Sequence, residues 1–106
     1  MTAAMTSPES SNEPARVIAA AVLARPDVAA LSRGPFGTVA TYLPGDLVRG
    51  VAVRDDEVEV HVVARYGRPV PEIADDVRAT VVPHAGDRAV TIVVDDIDID
   101  AGTAAT

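Results

Sequence analysis

The chain contains no cysteine, no lysine and no tryptophan. Without cysteine there is no disulfide, no thiolate nucleophile and no Cys-based zinc or iron–sulfur site. That absence suits a cytoplasmic protein. Aromatic side chains are scarce, limited to Phe36, Tyr42 and Tyr66. Large rings usually dominate ligand pockets and interface anchors. A deep ligand pocket is therefore not expected, and any binding hot spot should involve one of these three. No apolar run approaches the roughly 20 residues a membrane-spanning helix needs. Residues 1–14 carry neither the basic segment nor the apolar segment of a secretory signal. The expected location is cytoplasmic, with any membrane attachment supplied by something else.

What is present is a 106-residue chain, 48% apolar and rich in Val and Ala. Its length allows one domain with a modest core. The net charge is −7, and the position of that charge matters more than its size. Residues 16–94 hold nine arginines and ten acids, so the body is nearly neutral. The excess lies at Glu9 and Glu13 in front and at Asp95, Asp96, Asp98 and Asp100 behind. Nucleic acid and anionic lipid both need a basic patch. No cluster of arginines supplies one, so direct binding to nucleic acid or to anionic lipid is not expected; direct membrane insertion is not expected either, because no apolar run is long enough.

Residues 1–12 are rich in Ser, Thr, Pro and Asn and read as a disordered lead-in. Ser11 or Asn12 as N-cap, with Pro14 near the first helical position, then predicts a helix. It runs to about Ala24 and stops at Pro26. Val17, Ile18, Ala21 and Val22 form its expected apolar face, with Leu23 beside it. Val28–Leu31 reads as a short strand, Gly34 to Gly37 as a loop, and Thr38 to Leu43 as a strand closed by a turn at Pro44-Gly45-Asp46. Two further strands follow, Gly50 to Val53 and Val58 to Tyr66, joined by a tight turn over residues 54–57. In the second, Val58, Val60, Val62 and Ala64 point one way. Glu57, Glu59, His61, Val63 and Arg65 point the other. That alternation marks one buried and one wet face.

Pro69 to Glu72 opens a second helix. Val70, Ile73, Ala74, Val77 and Val81 make one stripe, and Pro83 and Gly86 end it. Ala89 to Ile99 is the last strand. Val90, Ile92 and Val94 share a parity that Ile97 and Ile99 break. Either a bulge near Asp95-Asp96 reconciles them or both faces are covered there. Residues 101–106 read as a frayed end. The predicted fold class is α+β: a small single domain over residues 13–100, with two helices packed on one face of a three- to four-stranded antiparallel-rich sheet.

Candidate chemistry is thin. His61, Glu57 and Glu59 have the spacing to meet on one sheet face, as a metal site or a base. A solvated face is the plainer reading, since no second imidazole is near and nothing in the sequence orients the first. His84, after Pro83, suits a helix end. Gly34 to Gly37 lacks the lysine and following helix of a phosphate loop. Asp96 to Gly102 misplaces the glycine of a calcium loop and lacks the closing glutamate. The pairs Asp55/Asp56 and Asp75/Asp76 lack the apolar surroundings that raise a carboxyl pKa, so simple solvation is expected of them. No catalytic, cofactor-binding or metal-binding residue is assigned, and the expected function is not enzymatic. The sheet edge or the acidic strand at Asp95–Asp100 is where contacts with other proteins are expected.

One constellation remains: Tyr66-Gly67-Arg68-Pro69-Val70-Pro71-Glu72-Ile73-Ala74. It resembles the Tyr-Gly-x-x-Ile/Val-Pro-Glu-Val/Ile-Ala signature of the alkaline shock protein family, the envelope stress response proteins of Gram-positive bacteria. The layout is similar over about residues 14–99, from the helix at Val17-Ile18-Ala19 to the valine-rich strand at Val90–Val94. The segment 33–49 is short and lacks the Lys- or Gly-rich sequence often seen there. The resemblance implies a non-enzymatic cytoplasmic protein that binds other proteins and self-associates. It also implies recruitment to the membrane by a small integral-membrane anchor, in support of cell-envelope homeostasis. Some relatives imply an alternative, a small regulatory subunit of a cytoplasmic enzyme or a regulator of gene expression. The residues themselves favour a plain structural role for the motif, as the hinge that seats the second helix on the sheet.

Overall fold

The computed structural model describes residues 14–34, 37 and 39–99. The expected lead-in over 1–12, the N-cap at Ser11 or Asn12, the residues Pro35, Phe36 and Thr38, and the end at 101–106 lie outside the described residues.

Helix α1 covers residues 14–23, with Pro14 as its first described residue. Proline suits this place because its fixed φ and missing N–H cost nothing there. Ala15, Ile18 and Val22 are its buried residues. Val17 and Leu23, expected on or beside that face, are 39% and 49% exposed. The helix is rolled by about one position from the expected orientation. A segment apolar on nearly every side carries a weak periodic signal, so packing chooses the face.

Among the described residues six strands follow: β1 (Val28–Leu31), β2 (Ala40–Leu43), β3 (Asp46–Arg49), β4 (Val51–Val53), β5 (Glu57–Arg65) and β6 (Ala89–Asp98). Helix α2 (Val70–Val81) and a single 3₁₀ turn (Val82–His84) lie between β5 and β6. Pro83 therefore sits inside the 3₁₀ turn rather than beyond the helix. Strand β5 begins one residue earlier than expected and ends before Tyr66, which belongs to the turn. Strand β3 was not expected. It pairs with β2 across Pro44-Gly45 in a separate two-stranded sheet.

The α+β class and the antiparallel-rich sheet hold, and β5 organises the whole. Strand β6 runs parallel to it along one edge. The other edge is shared end to end by two short antiparallel strands. β4 pairs with Val58–Val60 and β1 with Val62–Ala64. The junction falls at His61, whose N–H donates to Gly50 O at 2.9 Å and whose carbonyl accepts from Ser32 N–H at 2.8 Å. The β5–α2–β6 segment is a crossover, as a parallel pair requires.

Val58, Val60, Val62 and Ala64 are fully buried, as their alternation predicts. They meet Ile18 and Val22 of α1 and Ile73, Val77 and Val81 of α2 in one apolar cluster. Both helices thus cover the same face of the sheet. The free side of β4 is covered too. Thr41 Oγ1 donates to Val51 O at 2.6 Å and accepts from Val53 N–H at 3.1 Å, so β2 shields the strand's outer backbone groups. Among the described residues no helix is long and apolar enough to cross a membrane.

Candidate functional site

Of the two readings open for the parity break in β6, the structure shows the bulge. Val94 lies opposite Val62 and Asp96 opposite Val63, so Asp95 is the extra residue. A bulge turns its side chain out of the regular alternation. Here it sends the Asp95 carboxylate to His61. Nδ1 of His61 lies 2.8 Å from Asp95 Oδ2, and Nε2 lies 2.6 Å from Glu59 Oε2. Arg54 Nη1 donates to the other Glu59 oxygen at 2.9 Å. Gly34 packs over the imidazole, and His61 is 5% exposed.

The expectation of a wet face therefore fails at this position. So does the expectation that nothing orients His61. Two carboxylates do, one of them delivered by a bulge more than thirty positions away. An ionised carboxylate can only accept, so a carboxylate at each ring nitrogen favours the doubly protonated, imidazolium form of His61. Burial alone would push the His61 pKa down. The hydrogen bonds and charges of Glu59 and Asp95 outweigh it and hold the pKa above its ordinary 6.5. Hydrogen bonds from His61, then from Arg54, hold Glu59 below its ordinary 4.5, against the opposing effect of burial.

A general base needs a free lone pair, and both nitrogens here are committed. Nor do His61, Glu57 and Glu59 converge. Glu57 turns to Thr91 Oγ1 at 2.8 Å and to Arg54 at 3.4 Å. Among the described residues no group of three His, Asp or Glu side chains is placed to hold a metal ion. The cluster is an ionic strut between β5 and the bulge of β6.

A second ionic group lies behind the Tyr66–Ala74 turn. Asp27, 8% exposed, takes Nε and Nη2 of Arg25 at 3.1 and 3.3 Å, and Arg68 Nη1. Burial would raise the Asp27 pKa, but Arg25, the residue's own backbone N–H and Arg68 together hold it below the ordinary range. Arg68 also reaches Asp76 at 2.9 Å and Glu72 at 3.5 Å, and Arg25 reaches Asp76 at 3.4 Å. Asp76 is thus an ion-pair partner rather than a merely solvated acid. The network ties the α1–β1 turn to the first turns of α2. Sequence reasoning missed Asp27 altogether; Arg25-Pro26-Asp27 at a helix stop was its only trace.

Glu72 and Ile73 donate their N–H groups to Pro69 O at 3.0 and 3.2 Å, so the helix begins where the prolines place it. Gly67 has φ +137° and open space around it. That backbone angle is close to glycine-only. Gly67→Ala should therefore cost about 1–3 kcal/mol through strain alone. Pro71→Ala, in the first turn of α2, should cost less than about 1 kcal/mol, through a freer unfolded chain. Urea unfolding of the two variants separates these effects. Equal losses would show that the turn is not the stiff part of this junction. The outer side of the turn is a shallow depression of about 370 Å³ lined by Arg65–Pro69 and Ile97. Tyr66 stands 68% exposed at it, and Tyr42 is 80% exposed on β2.

The third feature is the outer edge of β6. Ala89 N–H donates to Asp56 O and Tyr66 N–H to Asp98 O. Alternation along a parallel ladder then turns the backbone groups of Val90, Ile92 and Val94 away from β5. Val90 O accepts from Arg78 Nη1 at 2.6 Å. Beyond the bulge, Ile97 N–H donates to its neighbour Asp96 Oδ1 at 2.8 Å. Between these two caps, the outward groups of Ile92 and Val94 meet no partner among the described residues.

Compared with known proteins, the chain matches no family model, no curated protein and no solved structure. Its function must be argued from its own residues.

Proposed function

We propose that this chain is a non-enzymatic protein-interaction domain. The observation that carries the reading is the β6 edge, capped at both ends and open over Ile92–Val94. Open edges pair with other strands, and this is a common way for small domains to bind proteins. The polar cluster at His61 supports the same reading, because its nitrogens are spent on structure. Exposed Tyr66 and Tyr42 supply the kind of aromatic anchor that interfaces favour.

The Tyr66–Ala74 motif adds a physiological setting through its resemblance to envelope stress response proteins. In that setting the domain is held at the inner face of the membrane by a small integral-membrane partner and supports envelope homeostasis. Affinity capture from detergent-solubilised membranes, with the intact chain as bait, tests this. Recovery of a protein with one or two membrane spans is the expected result. Recovery of a soluble enzyme in its place would point to a regulatory subunit and would end the envelope reading.

A further inference from the structure

We propose that the open edge of β6 takes an extended, basic segment of another protein as an added strand. The inference rests on the protein-interaction reading above and names the chemistry of the partner: a short run of apolar or β-branched residues with Lys or Arg on both sides. Ile92 and Val94 turn their N–H and C=O groups outward, so an added strand gains about four backbone hydrogen bonds. Their side chains pack on the core, and Val93 stands between them on the opposite face, level with His61. Edges that refuse a partner place a charge, a proline or a bulge in the exposed stretch. Here the bulge and the nearest carboxylates of β6 lie beyond Val94, and Ile92-Val93-Val94 is uncharged.

Charge selects the occupant. The turn before β5 lies against the start of β6, where Ala89 N–H donates to Asp56 O. This end carries Asp55, Asp56, Glu57 and Asp87. Its arginines are engaged: Arg54 pairs with Glu57 and Glu59, Arg88 donates to the carbonyls of Arg54 and Ala85, and Arg78 donates to Val90 O. Asp55, Asp56 and Asp87 are exposed and form no ion pair among the described residues. At the far end Asp95 is matched by His61, and Asp98 lies opposite Arg65. Asp96 is exposed there; it accepts its neighbour's N–H and pairs with no cation. The uncharged stretch is thus flanked on both sides by carboxylates that lack a cation.

A strand with Lys or Arg at each end supplies those cations in either direction. An acidic segment is repelled by the same carboxylates. A second copy of this edge brings acids to both ends whichever way it runs, and like charges facing one another are destabilising. The caps limit the length. Arg78 closes the edge at Val90 and the bulge closes it beyond Val94, so only a short segment is received.

The test uses the intact chain and a fluorescein-labelled peptide, Lys-Lys-Thr-Val-Thr-Val-Thr-Lys-Lys, read by anisotropy. A control peptide carries Glu at the four Lys positions and should bind at least about tenfold more weakly. Joint replacement Asp87→Asn and Asp96→Asn should weaken the basic peptide about three- to tenfold, since each exposed pair contributes little and the asparagine still caps Ile97 N–H. Amide exchange locates the peptide. The N–H groups of Ile92 and Val94 should exchange at least about tenfold more slowly with peptide bound, while Val93, already bonded to β5, changes little. No binding at about 1 mM basic peptide, equal binding of the Glu peptide, or binding that leaves the Ile92 and Val94 amides unprotected overturns the proposal. Protection of those two amides in the free chain that grows with its concentration gives the edge to a second copy and overturns it too. Capture of a membrane protein by a chain whose edge the basic peptide does not protect sinks this inference and leaves the envelope reading. A basic peptide seated on the edge, with no membrane protein captured, sinks the envelope reading and leaves this inference in place.

Discussion

Replacing His61 with leucine should lower the unfolding free energy by about 2–4 kcal/mol near pH 6. Leucine fills much of the same space, so the loss is not chiefly a cavity. It removes the one cation between Glu59 and Asp95, whose side chains are 25% and 18% exposed. Arg54 still pairs with Glu59, but nothing described remains on Asp95 Oδ2. Two carboxylates are then left facing each other over an apolar side chain. Removing one partner from a fully buried pair costs about 3–5 kcal/mol, and partial exposure here trims that figure. Adding Asp95→Asn to His61→Leu should recover part of the loss, because the uncompensated charge goes with it. A single variant as stable as the parent would show that the strut contributes nothing.

The same cluster sets a pH dependence. The folded pKa of His61 lies above 6.5, so its contribution is complete below 6.5 and fades as pH rises through that higher folded value. The folded pKa of Glu59 lies below 4.5, so its contribution is complete above 4.5 and fades as pH falls through that lower value. Between 4.5 and 6.5 both are present. The urea midpoint should hold across that window and decline on the alkaline side, where the ring loses a proton and one of its two hydrogen bonds. His61→Leu should flatten the alkaline decline. An unchanged alkaline limb in the variant would place the pH sensitivity elsewhere.

The other large effect is expected at Gly50. Its φ is +85°, and a Cβ there would lie 2.7 Å from Leu31 Cβ, 3.0 Å from Ser32 O and 3.2 Å from Ser32 N. Two of these three are backbone atoms, and neither strand is free to retreat. Ser32 N–H is bonded to His61 O, Gly50 N–H to Val39 O, and Gly50 O to His61 N–H. This is the point where β1 and β4 abut along β5. Gly50→Ala therefore combines left-handed strain of about 1 kcal/mol with overpacking of about 1–3 kcal/mol. A fall of about 2–4 kcal/mol in urea unfolding is expected, more than for Gly67→Ala. The contrast is informative because Gly67 shares the positive φ but has open space. Equal costs at the two sites would mean that β1 yields and the junction is soft.

Much of the architecture was legible because it rests on local periodicity. The two-residue alternation of Val58, Val60, Val62 and Ala64 identifies the buried face of β5. The stripe Ile73, Val77, Val81 does the same for α2. The parity break after Val94 leaves two readings, a bulge near Asp95-Asp96 or cover on both faces, and the register of β6 on β5 shows the bulge. Where local signals are weak, packing decides. The buried face of α1 leaves Val17 exposed, because alanines on every side blur the period and packing sets the roll of the helix. Strand β3 carries no such signal, because Asp46-Leu47-Val48-Arg49 sets its two apolar residues side by side and does not alternate.

The site was less legible, and for a different reason. His61 and Glu59 are two apart on one strand, and their meeting was foreseeable. Their third partner was not. Asp95 reaches the imidazole only because β6 lies parallel to β5 in one register and because the extra residue of the bulge falls opposite that ring. Asp27, Arg68 and Asp76 come together for a similar reason, across the packed junction of α1, β1 and α2.

Composition and spacing alone determine a small cysteine-free α+β domain and its principal helices and strands, and they narrow the end of the last strand to a bulge or cover on both faces. These are consequences of which side chains repeat, and at what interval. Strand order, the sharing of one β5 edge by β1 and β4, the burial of His61 between two acids and the open centre of the β6 edge came from packing. Each depends on which distant segment lies alongside, and hydrophobic burial, being without direction, leaves that choice to the fit of the whole chain.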